Sequence, residues 1–225
     1  MVTLNKRKCV VVFSGGQDST TCLFWAKRKF DYVETVFFDY GQKHRIELNS
    51  AKQISKLAGV KLNIIKIPAF SQIGGSSLTD KSVENPVGKP KGIPVSFVPG
   101  RNLIFITFAA AYAYTKKIFN IVTGVCQTDY SNYPDCRNDV MKSLEKTISL
   151  GMGCKFKIFT PLMFLTKSES VKLALKLDAM EALGLSHTCY NGTKPPCGKC
   201  PACILREKGF KNAGIEDPIK KASNL

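Results

Sequence analysis

The stretch Cys9-Val-Val-Val-Phe-Ser-Gly-Gly-Gln-Asp-Ser-Thr-Thr21 decides how this chain is interpreted. Its first part is a short apolar run, which is typical of a strand buried on both faces of a parallel sheet. Two glycines then turn the chain, and helical spacing of the apolar residues that follow predicts a helix beginning near Asp18 or Ser19. The free N–H groups of such a helix start bind anions, and glycine lets a phosphate approach the backbone. The stretch therefore predicts a phosphate site.

The residues of the turn distinguish this site from commoner phosphate loops. It has neither the Gly-Lys-Ser/Thr ending of the common phosphate loop nor the spaced glycines of a dinucleotide site, and two glycines alone would fit a turn without ligand. Ser14-Gly-Gly-Gln-Asp-Ser19 instead resembles the pyrophosphate loop of the N-type ATP pyrophosphatases, which cleave ATP between the α and β phosphates. The resemblance implies ATP contacts for Phe13, Ser14, Gly15, Gly16, Gln17, Asp18, Ser19, Thr20, Thr21, Cys22 and Leu23.

The next segments alternate between strand and helix patterns. Strands are predicted at residues 32–38 and 61–67, and the helix between them would bury Leu48, Ala51, Ile54, Leu57 and Ala58. Successive strand–helix–strand units favour parallel strands, so we expect an α/β fold with a doubly wound, mostly parallel sheet and helices on both faces. Ligands bind at the carboxyl ends of such strands, which places Ser14 and Asp39 on one rim.

The middle of the chain contains the candidate substrate residues. Residues 68–100 are rich in glycine and proline and lack periodicity, which is typical of either a functional lid or a plain loop. An apolar helix is expected over residues 103–114, buried, too short to span a membrane, and capped by Asn102. Arg101 beside this cap is a candidate ligand for a phosphate or carboxylate. Residues 124–137 are dense in polar and aromatic side chains and are predicted to form a pocket wall.

The later helices are indicated by their caps and spacing. A helix is expected over about residues 139–150, and Thr166-Lys-Ser-Glu169 is a capping-box sequence that begins another. The second helix is predicted to bury Val171, Ala174 and Leu175.

A cluster of cysteines near the carboxyl end predicts a metal site. Cys197, Cys200 and Cys203 follow the pattern Cys-x2-Cys-x2-Cys, and Cys189 stands eight residues upstream. Four thiolates close a tetrahedral Zn²⁺ site with no open position, so one structural zinc per chain is expected, with an iron–sulfur cluster as the alternative. We expect residues 1–180 to form the ATP-binding domain and residues 181–225 a small C-terminal helical zinc-binding segment packed on it.

Charge and the remaining composition are less specific. The 225 residues include 33 Lys and Arg against 17 acidic residues, a net charge of +16 that would attract a polyanion such as tRNA or ATP. The lysines are scattered, so a solvated basic surface explains the charge equally well. Residues 1–8 contain no signal-peptide core, and we expect a cytoplasmic protein whose nine cysteines stay reduced.

The resemblance to one enzyme family extends over nearly the whole chain. Six further strings carry it: FDYGQKH at 38–44, GIPVSFVPGRN at 92–102, GVCQTDYSNYPDCR at 124–137, TPLM at 160–163, TCYNG at 188–192 and CGKCPAC at 197–203. Together with the pyrophosphate loop they resemble the 7-cyano-7-deazaguanine synthases of queuosine biosynthesis. The resemblance implies an adenine nucleotide alpha hydrolase-like fold and a homodimer.

The family resemblance also implies a reaction and its site. ATP with Mg²⁺ would adenylate 7-carboxy-7-deazaguanine, ammonia would give the amide, and a second adenylation would allow elimination to the nitrile. Arg101, Asp129, Asp135 and Arg137 are predicted to hold the deazapurine; no general base is assigned. The alternatives are a tRNA-modifying pyrophosphate-loop enzyme, of the thiolation or lysidine-ligating kind, and a noncatalytic zinc module that binds nucleic acid. Direct tRNA binding is not expected, and neither is a membrane partner.

Overall fold

The computed structural model describes residues 7–44, 46–80, 82–85, 92–128 and 133–219. Its centre is one five-stranded sheet with the strand order β3-β2-β1-β4-β5. The strands are β1 (Lys8–Val12), β2 (Tyr32–Asp39), β3 (Lys61–Lys66), β4 (Asn120–Val122) and β5 (Lys157–Phe159). All neighbouring pairs are parallel, and Val10 is in register with Glu34 of β2 and Ile121 of β4. The predicted doubly wound sheet is therefore confirmed.

Helices cover both faces of this sheet, as predicted. The helices are α1 (Gln17–Lys29), α2 (Ile46–Ala58), α3 (Ala69–Ile73), α4 (Arg101–Thr115), α5 (Asn138–Gly151), α6 (Lys167–Lys176), α7 (Met180–Leu185) and α8 (Pro201–Ala213). Alternate strand residues point to opposite sides, so Val10 packs in a core with α4 and α5, whereas Val11 packs in a core with α1 and α2. A third apolar cluster joins α6 to α8 through Val171, Ala174 and Phe210.

Several predicted buried positions are wrong. Leu57 on α2 and Leu175 on α6 are 41% and 50% exposed, since each lies at the edge of its helix's packed stripe. α4 is apolar all round, but its buried side consists of Ile106 and three alanines, and its outer side is open. Sequence periodicity cannot show which stripe of such a helix meets the sheet.

The start of α4 also differs from its prediction. Gly100 is the N-cap, and the backbone N–H of Asn102 donates to Oδ2 of Asp135 at 3.0 Å. The cap thus comes from a distant carboxylate and not from the Asn102 side chain. The predicted capping box of α6 is confirmed, with the Thr166 hydroxyl accepting from the Glu169 N–H and the Glu169 carboxylate accepting in return.

The strand order determines where a ligand can bind. The chain leaves β1 toward β2 on one side and returns to β4 on the other, so β1 and β4 flank the topological switch point. Ligands of open α/β sheets bind in the crevice outside the carboxyl ends of the strands at this point. Of the helices that the structure describes, none combines the length and hydropathy that crossing a bilayer requires.

Candidate functional site

A large cavity lies at the carboxyl ends of β1, β2 and β4. Its wall is built by the turn after β1, the loop after β2, the starts of α2, α4 and α8, the end of β4 and residues 187–190. The cavity therefore occupies the switch point, and both the pyrophosphate loop and the FDYGQKH loop reach it, as the sequence predicted.

The pyrophosphate loop is held in shape by its own hydroxyls and by α2. Ser19 Oγ donates to the carbonyl of Gly16 at 3.1 Å, and the Gly16 N–H donates to Ser14 Oγ at 3.3 Å. Gly15 has φ of +78°, and a Cβ there would lie 2.7 Å from the Ala51 backbone nitrogen and 2.8 Å from the Glu47 carbonyl oxygen. Only glycine can make this approach, so the loop and α2 form one packed unit.

Six of the predicted ATP residues line the cavity and five do not. The lining members are Phe13, Ser14, Gly16, Gln17, Asp18 and Ser19. Gly15 packs against α2, and Thr20, Thr21, Cys22 and Leu23 are buried along α1, whose side chains there face the protein interior. The assignment of all eleven to ATP stays a prediction.

Of the six cavity-lining residues, Gln17 has the environment that most clearly indicates a bound ligand. Its side chain is 2% exposed and lines the cavity, and neither its amide nitrogen nor its amide oxygen has a hydrogen-bond partner in the protein. A buried amide without partners is costly, and such exceptions in native proteins need an explanation. A ligand bound in the cavity supplies one.

Asp18 and Lys167 form an ion pair at the cavity wall. Lys167 Nζ lies 2.9 Å from Oδ1 and 2.8 Å from Oδ2 of Asp18, and the two side chains are 11% and 29% exposed. Lys167 is the first residue of α6, and a Cβ on Gly209 of α8 would overlap its Cγ. Three helices thus place an ammonium group beside the pyrophosphate loop. The sequence analysis missed Lys167, although its position after the capping Thr166 was visible.

Arg101 lies among aromatic rings at the other end of the cavity. Its guanidinium carbon is 5.8 Å from the ring centre of Tyr40 and 5.9 Å from that of Tyr133, both within cation–π range. The Tyr133 hydroxyl bonds to Ser96 and lies 3.5 Å from the Tyr190 hydroxyl. The arrangement combines flat apolar surfaces with one cation, which suits a planar heterocycle that carries a carboxylate.

The other three predicted substrate residues are placed differently. Asp135 is buried and caps α4, as described above, so its carboxylate serves the helix that carries Arg101. Arg137 is exposed at the N-cap of α5 and is not part of the cavity wall. Asp129 lies outside the described residues. The contact of these three with substrate stays a prediction; the Asp135 carboxylate caps α4, and Arg137 lies outside the cavity wall.

Glu47 is a functional candidate that the sequence analysis did not single out. It is the second residue of α2 and lines the cavity together with Arg101 and Tyr40. Burial raises the pKa of its carboxyl to about 7, against the opposing effect of the Arg101 guanidinium. A carboxyl with this pKa exchanges protons at neutral pH. The sequence could have indicated Glu47, because it is an acidic residue just after the polar loop that follows β2.

The four predicted zinc ligands lie together. The sulfur atoms of Cys189, Cys197, Cys200 and Cys203 are all within 4.8 Å of one another, and Cys197 Sγ is 4.0 Å from Cys203 Sγ. Zinc–thiolate bonds of about 2.3 Å in a tetrahedron put sulfurs about 3.8 Å apart. The set fits one metal ion. The hydrogen bond between Cys200 and Cys203 lowers the pKa of the Cys200 thiol and raises that of the Cys203 thiol, so it favours a thiolate at Cys200.

His187 and the cysteines outside the cluster have other positions. His187 Nε2 lies 3.2 Å from the Cys189 carbonyl oxygen, so its ring stands outside the sulfur cluster. Cys9, Cys22, Cys126 and Cys136 are buried, as expected of small apolar residues. Burial raises the pKa of the Cys136 thiol to about 12, which makes it unreactive although it lines the cavity.

The cysteine segment is also part of the cavity wall. Cys189 and Tyr190 both line the cavity, and the His187 N–H donates to the Gly15 carbonyl at 3.0 Å. The Asn85 amide donates to the Tyr190 carbonyl at 3.0 Å and to the Asn191 side chain at 2.7 Å. Leu78 and Pro94 of the predicted lid or loop also line the cavity. The segment that carries the four cysteines thus forms the wall of the cavity on the side opposite the sheet.

Comparison with known proteins identifies close relatives. The family model for queuosine biosynthesis protein QueC matches residues 8–214. A 7-cyano-7-deazaguanine synthase from Chromobacterium violaceum is 55% identical over 216 residues, covering 94% of this chain and 92% of that protein. One from Clostridium botulinum is 49% identical over 210 residues, with coverages of 92% and 96%. The solved NMN synthetase of Francisella tularensis aligns with a TM-score of 0.50 at 15% identity, covering 94% of this chain and 79% of that one, which indicates a shared fold alone.

Proposed function

The chain belongs to the QueC family of queuosine biosynthesis proteins, and from this membership we propose how its cavity makes 7-cyano-7-deazaguanine. It is an enzyme that forms a carbon–nitrogen bond, converting a carboxylate into a nitrile. The observation that carries this function is the 55% identity to a 7-cyano-7-deazaguanine synthase over almost the whole of both chains. The cavity supplies the residues through which the reaction is explained below. A tRNA-modifying enzyme, the alternative from the sequence, is not favoured by these relatives.

The first step is adenylation of the substrate carboxylate. A carboxylate resists ammonia because oxide is a poor leaving group, and transfer of AMP from ATP replaces oxide with a good one. The N–H groups at the start of α1 and the hydroxyls of Ser14 and Ser19 would hold the departing pyrophosphate. Lys167 would add a positive charge at the same place. Mg²⁺, when bound with ATP, would neutralise phosphate charge during the transfer.

The aromatic end of the cavity would hold the deazapurine. Tyr40 and Tyr133 offer ring faces for stacking, and Arg101 between them attracts the carboxylate of the acid substrate. The carboxylate would then lie between Arg101 and the pyrophosphate loop, where the α phosphate of ATP would arrive. Catalysis then rests on positioning and charge stabilisation, and the protein forms no covalent bond to substrate.

The second stage uses the same cavity. Ammonia displaces AMP from the acyl adenylate to give the primary amide, and a second ATP adenylates the amide oxygen. Loss of AMP from this imidate gives the nitrile. One pocket must therefore accept first the acid and then the amide, which differ by one group at the end held near Arg101.

The metal site would have a structural role. Its four thiolates leave no open coordination position, so the ion, proposed to be one Zn²⁺ per chain, would hold residues 189–203 against the cavity. Tyr190 and the start of α8 would be positioned by it. We propose in the same sense that residues 181–225 are a zinc-binding segment packed on an ATP-binding domain of residues 1–180.

The quaternary state and location complete the proposal. The outer face of α4 exposes Leu103, Ile104, Phe108 and Tyr114, each between 36% and 49%. We propose that this apolar face is the interface of a homodimer, which agrees with the state implied by the family resemblance. We place the enzyme in the cytoplasm, where ATP and reduced cysteines are available.

One reaction series tests the proposed function. Purified protein receives ATP and Mg²⁺ with the deazapurine acid and ammonia, with the amide alone, or with bulk tRNA. We expect AMP, pyrophosphate and nitrile in the first two mixtures and no AMP with tRNA. ADP should not form, because the loop directs cleavage between the α and β phosphates. AMP release that requires tRNA, or amide returned unchanged by enzyme that still consumes ATP with the acid, would contradict the proposal.

A further inference from the structure

Glu47 stands between the two ends of the cavity. Its backbone carbonyl packs against Gly15 of the pyrophosphate loop, at 2.8 Å from the place a Cβ would take. Its side chain lines the cavity with Arg101 and Tyr40, which belong to the aromatic end. The positive charge of Arg101 opposes the rise in the pKa of the Glu47 carboxyl, so the two groups share one electrostatic environment. The carboxyl therefore lies near the junction where the loop and the substrate end meet.

Glu47 is also the cavity carboxyl that is able to take a proton. Among the described residues, Asp18 and Glu47 are the carboxyls in the cavity wall, and Asp18 is held in its ion pair with Lys167. Burial gives Glu47 a pKa of about 7, near the pH at which a general base works best. The imidazole of His187 is occupied at Nε2 by the Cys189 carbonyl. His44 lines the cavity and is the competing base.

Both chemical stages release a proton from nitrogen. When ammonia attacks the acyl adenylate, a carbon–nitrogen bond forms, the carbon–oxygen bond to AMP breaks, and the nitrogen must lose one proton to become an amide. Adenylation of the amide oxygen leaves two protons on the nitrogen, and the first is lost to water to give the neutral imidate. The nitrogen then gives up its last proton as the bond to AMP breaks and the third carbon–nitrogen bond forms. A positioned base that accepts these protons speeds such steps by about 10²–10⁴-fold.

We propose that Glu47 is the general base of both stages, accepting the proton from the ammonia nitrogen and then from the imidate nitrogen. This inference rests on the proposed function, and it adds a catalytic residue that the sequence reasoning left unassigned. Arg101 orients the carboxylate, and the water outside the cavity removes the proton between stages.

The sharpest test uses the amide, because its conversion needs no ammonia. Glu47→Gln keeps the shape of the side chain and removes its ability to accept a proton. We expect nitrile formation from the amide to fall by about 10²–10⁴-fold, while exchange of labelled pyrophosphate into ATP in the presence of the amide stays within about threefold of wild type. Adenylated amide should accumulate in a single turnover. Glu47→Asp should recover part of the nitrile rate.

Two control variants accompany this measurement. Glu34→Gln alters a carboxyl that is buried in β2 and hydrogen-bonded by Tyr112 and Asn63, outside the cavity wall. Its nitrile rate per folded molecule should equal that of wild type. His44→Gln should keep the pH dependence described next. Circular dichroism supplies the folded fraction of every variant.

The pH dependence separates a base from a structural partner. Among the described residues, the charged and titratable groups that share the cavity wall with Glu47 are Asp18, Tyr40, Lys43, His44, Arg101, Cys126, Tyr133, Cys136, Lys167, His187, Cys189, Tyr190, Arg206 and Lys208. Burial raises the pKa of Glu47 to about 7, so we expect the nitrile rate to rise through that pH as Glu47 loses its proton. Below that pH the rate should fall about tenfold per unit, and Glu47→Gln should remove the inflection.

Three results would overturn the inference. One is a Glu47→Gln enzyme that makes nitrile within about threefold of wild type. The second is a parallel loss of pyrophosphate exchange and nitrile formation, which indicates a role in holding Arg101 alone. The third is an inflection that disappears in His44→Gln and persists in Glu47→Gln, which assigns the base to His44. Failure of wild-type enzyme to convert the amide would instead contradict the proposed function, so the two failures are distinguishable.

Discussion

Lys167 Nζ contacts both carboxylate oxygens of Asp18, at 2.8 and 2.9 Å, across 149 residues of sequence. The pair joins the first turn of α1 to the first residue of α6, and the stem of Lys167 lies on Gly209 of α8. The C-terminal helix therefore supports an ammonium group beside the pyrophosphate loop. This contact couples the part of the chain that carries the metal site to the part that would bind ATP.

Gly209→Ala should lower the use of ATP although it improves helix propensity. Alanine favours a helix over glycine by about 0.8–1.0 kcal/mol, but its Cβ would displace the Lys167 stem. Hydrogen bonds to charged groups contribute about 1.5–3 kcal/mol, so kcat/KM for ATP should fall roughly tenfold or more. Gly151→Ala is the matched control, because a Cβ at that helical glycine meets nothing within 4 Å. Equal kinetics in the two variants would remove Lys167 from the proposed ATP site.

Gly15 and Gly16 should respond differently to substitution. Gly15→Ala places a Cβ against the backbone of α2 at positive φ, so it should lower the free energy of unfolding by several kcal/mol. Gly16 has φ of −83°, and its Cβ would find its nearest neighbours at 3.4 Å. Gly16→Val should therefore keep the fold and remove ATP binding, by filling the space of a phosphate. Calorimetric titration with ATP, beside thermal unfolding, checks both, and normal ATP affinity in folded Gly16→Val would contradict the loop assignment.

Gln17→Leu should stabilise the free protein and weaken ligand binding. The substitution removes two buried polar atoms without partners, which cost about 1–3 kcal/mol when left unsatisfied. It also removes the amide that a ligand would bond. Ser55→Ala is the control, because its buried hydroxyl on α2 is equally without a partner but lies outside the cavity wall. Both variants should melt at or above the wild-type temperature, and Gln17→Leu alone should raise KM for ATP or deazapurine.

Removal of one cluster thiol should destabilise the protein far more than removal of another cysteine. Structural zinc contributes apparent binding free energies of about 10–16 kcal/mol in small domains, so Cys197→Ser should lower the melting temperature strongly. Cys154→Ser, at a half-buried cysteine outside the cluster, should change it little. Elemental analysis should find one zinc per wild-type chain and less in Cys197→Ser. Iron with sulfide, or active enzyme without any metal, is incompatible with the proposed site.

Phe108→Glu should convert a dimer into monomers. Phe108 is 45% exposed at the centre of the apolar face of α4, where burial of a charge in an interface costs several kcal/mol. Sedimentation of wild type and variant over a range of concentrations measures the change, and circular dichroism confirms the fold. The control is Glu181→Lys on α7, which alters charge away from this face. Thr107→Glu would not serve, because Thr107 borders the same face of α4. A monomeric wild-type protein would refute the homodimer directly.

Local patterns were enough to predict most of the fold. The apolar run before the glycines predicted β1, helical spacing predicted α1, and the capping box at Thr166 predicted the start of α6. These signals depend on residues a few positions apart, because hydrogen bonding and side-chain spacing within one element are local. The cysteine spacing belongs to the same class, and it correctly brought four sulfurs together.

Tertiary structure alone decided the partners of the site residues. The sequence predicted one substrate pocket with Arg101 and Asp135, and only the fold shows that Asp135 caps α4 and that Arg101 lies beside Tyr40 and Tyr133. Lys167 and Glu47 reach the cavity because strand order brings the starts of α2 and α6 to the switch point. Likewise, α4 exposes Phe108 because an apolar helix buries only the stripe that meets the sheet. Such outcomes depend on how elements pack across long separations, and no local pattern encodes that.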